Sequence, residues 1–106
     1  MKKRTKELSI PKSVKEAVAR RDSFDGWPCC LLCGTPAPID NPLAFSNAHY
    51  VRRSQGGLGV EENILTLCWT CHQRFDNYGE NREELRSYLI RNYKDWDEEK
   101  LKYRKG

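Results

Sequence analysis

The sequence predicts a small α+β domain held together by a bound metal. Three observations lead there: two short runs rich in apolar and β-branched residues around a glycine turn, a helix-forming stretch directly after the second run, and two Cys-x-x-Cys pairs that bracket them. At 106 residues the chain has room for one domain, and 38% hydrophobic against 32% charged residues leaves a thin apolar core. Domains of this size commonly add disulfides, a metal or a partner chain to the hydrophobic term. The chain opens Met1-Lys2-Lys3-Arg4 and runs on through charged residues, with no apolar stretch suited to a signal peptide or a membrane span. That argues for a cytoplasmic protein with reduced thiols and no membrane association, and so for a metal over disulfides.

Residues 1–9 read as a basic arm, 10–93 as a single domain and 94–106 as a charged tail. Charge is concentrated at the start: residues 1–21 carry Lys2, Lys3, Arg4, Lys6, Lys12, Lys15, Arg20 and Arg21 against only Glu7 and Glu16. Such a block suits a polyanion, because each neutralised phosphate releases counterions, though a solvated tail has the same composition. From Lys12 to Arg21, Val14, Ala17 and Val18 recur at the spacing of one helix face, with Pro11 fitting a first turn. Asp25-Gly26-Trp27-Pro28 breaks that helix, and 34–42, with three prolines, reads as loop; regular structure is expected in neither. Leu43 to Val51 and Ile64 to Leu67 are the two candidate strands, joined by a turn around Gly56-Gly57-Leu58-Gly59. Cys68 to about Tyr78 continues as a helix. Arg82 to Tyr93 forms another, with Leu85, Leu89 and either Tyr88 or Asn92 on its inner face. Trp27, Trp69 and Trp96 are expected to pack around the metal and the helices.

Cys30-Leu31-Leu32-Cys33-Gly34 and Cys68-Trp69-Thr70-Cys71 carry the strongest local signal. Two residues between ligands let both thiolates turn onto one tetrahedral ion, and zinc favours four such ligands in a closed structural site. Cys30, Cys33, Cys68 and Cys71 are therefore the expected Zn²⁺ ligands. Cys29 is read as a bystander, although it could replace Cys30. His72 is a rival fourth ligand, but neighbouring helical residues point about 100° apart. The ion would tether the first loop to the start of the second helix and supply folding energy that the core lacks.

Between the pairs lies Asn47-Ala48-His49-Tyr50-Val51-Arg52-Arg53-Ser54-Gln55-Gly56-Gly57, then Glu62-Asn63-Ile64-Leu65-Thr66-Leu67, and the second pair runs on into Cys71-His72-Gln73-Arg74-Phe75-Asp76. With this order the sequence resembles the HNH endonucleases: a first His near a strand end (His49), a Gly-Gly turn, an Asn before the second strand (Asn63) and a His on the following helix (His72). The two Cys-x-x-Cys pairs match the zinc-bearing branch found often in bacteriophages, and the resemblance covers about residues 10 to 95. It implies a ββα-metal core and a metal-dependent DNA endonuclease.

The chemistry suits those roles. The imidazole of His49 can accept a proton from water near neutral pH, which makes it the candidate general base, as the resemblance also implies. Asn63 would hold the hairpin and orient that imidazole, as the family's Asn does. His72 and Asp76 lie four apart on one helix face and could clamp a divalent ion, Mg²⁺ or Mn²⁺ with Ni²⁺ or Zn²⁺ as alternatives, to act as Lewis acid. Arg52 and Arg53 follow the base, and one of them is expected to contact substrate phosphate. One departure stands out: the family usually places an Asp or His metal ligand just before the first His, and here that residue is Ala48. The ion would then rest on His72 and Asp76 with water and phosphate, or draw an oxygen from Asn47. Alternatively catalysis is lost, leaving an inactive zinc-stapled nucleic-acid-binding module, such as a phage assembly or packaging accessory. A monomer would nick and a homodimer could cut both strands, and RNA stays open as a substrate because phosphate contacts do not distinguish it.

Overall fold

The computed structural model describes residues 10–38, 40 and 46–103, so the basic arm of residues 1–9 lies outside the described residues, as do 43–45 of the first expected strand and 104–106 of the expected tail. Among the described residues the fold is a small α+β arrangement of two antiparallel two-stranded sheets and three α-helices. Helix α1, Lys12–Arg21, has the bounds its apolar spacing predicts. Pro11 caps it, its carbonyl accepting from the amides of Val14 and Lys15 at 3.0 Å each, and Arg20 and Arg21 sit in the last turn, where cations complement the helix dipole.

A first small hairpin follows where regular structure is not expected from the sequence: β1, Ser23–Phe24, pairs with β2, Trp27–Pro28. The reason is local. Asp25 and Gly26 adopt φ of 55° and 83°, the left-handed pair that a tight two-residue turn requires. Beyond it the chain forms the first cysteine loop.

The central hairpin pairs β3, Ser46–His49, with β4, Ile64–Leu67, in the register Asn47 with Thr66, Ala48 with Leu65 and His49 with Ile64. All four residues of β4 are buried, as a strand covered on both faces requires, and α1 and the helix that follows β4 both contact it. Instead of a tight turn, the connection is a long loop from Tyr50 to Asn63 containing two 3-10 turns, Arg53–Gln55 and Glu61–Asn63. The glycines serve packing within it. Gly56 takes φ 85°, and a Cβ on Gly57 would lie 1.7 Å from the Val51 carbonyl oxygen. Gly57→Ala is accordingly expected to force that loop open, at a cost of about 1–3 kcal/mol, read as a lowered urea midpoint. An unchanged midpoint would show that the close approach is dispensable.

Helix α2, Trp69–Tyr78, starts from Cys68 and ends at Gly79, whose φ of 66° lets its amide reach back to the Phe75 carbonyl at 2.9 Å. Helix α3, Arg82–Asn92, buries Leu85 and Leu89 as expected, with Tyr88 half-buried and Asn92 exposed. The segment from Lys94, expected as a tail, is docked as far as Tyr103. Trp96 donates to the Glu62 carbonyl at 2.8 Å, Leu101 is buried, and Lys102 bridges to Gly57. Its charges conceal two apolar anchors that close over the loop. The core joins Cys30, Ala48, Tyr50, Val51, Leu65, Leu67, Phe75, Leu85, Leu89 and Leu101, so it lies between the central hairpin, α2 and α3. Among the described residues no helix is long and apolar enough to cross a membrane.

Candidate functional site

The four cysteines of the two pairs converge, with their sulfurs all within 4.8 Å of one another. Cys33 and Cys68 Sγ are 3.6 Å apart, close to the roughly 3.8 Å edge of a tetrahedron with the usual zinc–sulfur bonds. The donor set and spacing therefore fit a structural zinc ion. Local backbone geometry aims the ligands. The Gly34 amide turns back to the Cys30 carbonyl at 3.0 Å, and Leu31 donates to the Thr66 carbonyl of β4 at 3.0 Å, fastening the first loop to the hairpin. The second pair occupies the start of α2, where the Cys68 carbonyl accepts from His72 at 2.9 Å.

The hydrogen bond with the Thr35 hydroxyl at 3.0 Å holds the Cys33 thiol down to about 6, whereas burial pushes the Cys68 and Cys71 thiols up. Four neighbouring thiolates repel one another, and a divalent cation removes that repulsion. Cys29 stands outside the cluster, its thiol donating to the Trp27 carbonyl at 3.3 Å.

On another face an open cleft is lined by Asn47, His49, Arg52, Ser54, His72, Asp76 and Asn77. Strand β3 supplies the first two from one side, because alternate residues point the same way. Ala48, between them, points into the core and is 0% exposed. The position where a family ligand is usual thus faces away from the cleft, and Asn47 is the strand neighbour of His49 that faces into it. Helix α2 supplies His72 and Asp76 from one face, with Nε2 and Oδ2 2.9 Å apart. Arg52 lines the cleft and its guanidinium donates to the Asp76 carbonyl, while Arg53 is exposed outside the lining.

Asn63 sits behind the cleft, 0% exposed. Its Oδ1 accepts from the Val51 amide at 2.7 Å, and its Nδ2 donates to the carbonyls of Val51 at 3.2 Å and Leu58 at 2.9 Å. These bonds clamp the loop that follows His49, two residues from the imidazole.

Two features depart from what the sequence suggests. Trp27 and Trp96 do pack, their indole N–H groups each donating 2.8 Å bonds to the carbonyls of Ala37 and Glu62. Trp69, however, is 70% exposed, which corrects the expectation that it packs. Its place outside the metal-facing side of the helix start explains this: Cys68 and Cys71 turn inward and the residue after Cys68 turns out.

The second departure is a buried ionic hub. Arg21 forms a two-armed pair with Asp22 at 2.6 and 2.9 Å and donates to the carbonyls of Glu61 at 2.8 Å and Ile64 at 2.6 Å. Asp22 also accepts from the Thr66 amide at 3.0 Å and the Tyr88 hydroxyl at 2.5 Å. Burial opposes the Arg21 charge, but the bonds to Asp22 and Tyr93 outweigh it and hold the guanidinium protonated beyond its ordinary range. Burial and the bond to Asp22 raise the Tyr88 phenol. The Arg-Arg-Asp run at a helix end carries no sequence signal for burial.

Residues 30–77 match the family model of the HNH endonucleases. No curated protein matches the chain. The matched segment begins at the first zinc-site cysteine and ends in the cleft at Asn77, so it takes in both cysteine pairs, His49, Asn63, His72 and Asp76. The match to the HNH endonuclease family model thus falls on residues 30–77, the part of the chain that builds both the cysteine site and the cleft.

Proposed function

We propose that the chain is a metal-dependent DNA endonuclease that hydrolyses phosphodiester bonds in the cleft between β3 and α2. The observation that carries this reading is the convergence of His49 from the strand with His72 and Asp76 from the helix on one open, polar cleft. An imidazole nitrogen of His49 takes the proton of the attacking water, a role suited to a neutral imidazole, which keeps one ring nitrogen as an acceptor. Asn63 acts at one remove, by holding the loop after His49 against Val51 and Leu58. Arg52, already at the cleft wall, binds a phosphate oxygen through its guanidinium. His72 Nε2 and Asp76 Oδ2, 2.9 Å apart on one helix face, would hold a divalent ion between them. Such an ion would supply charge relief at the phosphate and at the departing oxygen.

The same geometry also supports a second reading. With Ala48 turned into the core, the ion has one fewer protein ligand than is usual in the family, as an inactive nucleic-acid-binding module would have. Conversion of supercoiled plasmid separates the two. Wild type with Mg²⁺, Mn²⁺ or Ni²⁺ is expected to nick, and His49→Ala to be slower by about 10²- to 10⁴-fold. Plasmid that is bound and left uncut under every ion would establish the inactive module.

A further inference from the structure

We propose that Trp69 is a stacking platform for a nucleobase beside the scissile phosphate, so that the preferred substrate is a strand with an unpaired base at the cut. The proposal rests on the nucleic-acid reading of the cleft and names the kind of substrate that cleft accepts. Exposure alone does not single out Trp69, because Phe24 at 78% and Tyr78 at 77% are equally open. Helix register does. On α2, Trp69, His72 and Asp76 are spaced three and seven residues apart and share one face, with Trp69 one turn, about 4.5 Å along the axis, from His72. Tyr78, nine residues from Trp69, falls on the opposite side of the same helix. Phe24 borders a different cavity, formed with Cys29 to Gly34 and Tyr88.

The residue that carries the indole is also fixed at its backbone. It lies between Cys68 and Cys71, two of the four clustered sulfurs, so the backbone on either side is anchored to the site that staples the fold. A rigid, flat, exposed aromatic costs little ordering entropy when a base stacks on it. The other two tryptophans are committed to carbonyls. Trp69 thus extends the cleft beyond His72 with a surface that offers no hydrogen-bond pattern to read sequence, and every base has a face that it can accept. In an intact duplex those faces are occupied by neighbouring bases, which is why an unpaired base is preferred.

The test uses the full zinc-loaded chain carrying His49→Ala, without added divalent ion, titrated with a labelled oligothymidylate and with a blunt duplex of the same length. Anisotropy of the label reads binding, and the difference in tryptophan emission between this protein and its Trp69→Phe derivative isolates Trp69. Expected results are quenching of Trp69 by the single strand and a single-strand affinity lowered about 5- to 150-fold by Trp69→Ala, largely kept by Trp69→Phe, with duplex affinity changed less than about twofold. Unchanged circular dichroism and zinc content in the Trp69 variants confirm that folding is not the cause. Binding of both oligonucleotides without Trp69 quenching overturns the stacking role and leaves the nuclease reading standing. Equal losses on single strand and duplex overturn the preference for an unpaired base. Absence of binding to either oligonucleotide overturns the nucleic-acid reading itself, and the proposal with it.

Discussion

Removing zinc from the four-cysteine site is expected to unfold the whole chain. Structural zinc in small domains contributes an apparent free energy of about 10–16 kcal/mol near neutral pH, whereas a folded domain is stable by only about 5–15 kcal/mol in total. This fold has little to set against the loss. Its buried core is a short set of side chains in which Cys30 is itself a member. The first cysteine loop meets the hairpin through the Leu31 to Thr66 backbone bond, and the second pair begins the helix that carries His72 and Asp76. Loss of the ion would therefore release the loop and the helix that lines the cleft together. Circular dichroism melts of zinc-verified protein before and after stripping with a thiol-competitive chelator would show the cooperative transition disappear. A melting curve that survives verified zinc loss would mean the apolar core suffices, and the staple would have to be abandoned as the source of stability.

Arg21→Met is the second large effect expected. The Arg21 side chain is 10% exposed and that of Asp22 is 0%, so removing the cation leaves a carboxylate without its counterion in the interior. Breaking a buried pair from one side typically costs about 3–5 kcal/mol. The damage would reach the cleft, because Arg21 also holds the carbonyl of Ile64, and Ile64 is the register partner of His49. Urea denaturation of Arg21→Met and of the double variant Arg21→Met with Asp22→Asn distinguishes charge from packing. The double variant, which keeps an acceptor for the Thr66 amide and the Tyr88 hydroxyl but no buried charge, is expected to recover part of the loss. A single-variant cost below about 1 kcal/mol would place the pair among those that contribute little.

The elements legible in the sequence are those whose signal is contained in a few neighbouring residues. Helix α1 runs from Lys12 to Arg21 because Val14, Ala17 and Val18 define one face over that span, and β4 runs from Ile64 to Leu67 because a short run of apolar and β-branched residues suits a strand covered on both faces. The cysteine cluster follows from two ligand pairs of matching spacing, and the His72 to Asp76 contact from a separation of four on a helix. The hairpin at Ser23–Pro28 was also within reach, through its Asp25-Gly26 turn, but two-residue strands are too short to show an alternation.

By itself, then, the sequence determined the four-cysteine cluster, the helices, β4 and the order of the cleft residues, since each depends on local spacing and side-chain chemistry. Tertiary structure alone decided that Ala48 faces the core and Asn47 the cleft, and that Arg21 donates to the carbonyls of Glu61 and Ile64, 40 and 43 positions along the chain. It also decided that the segment from Lys94 closes over Gly57 and that Trp69 stands in solvent. Those outcomes depend on which surfaces meet when distant segments pack. A side chain's burial is a property of its neighbours in space, and the linear order of residues does not contain them.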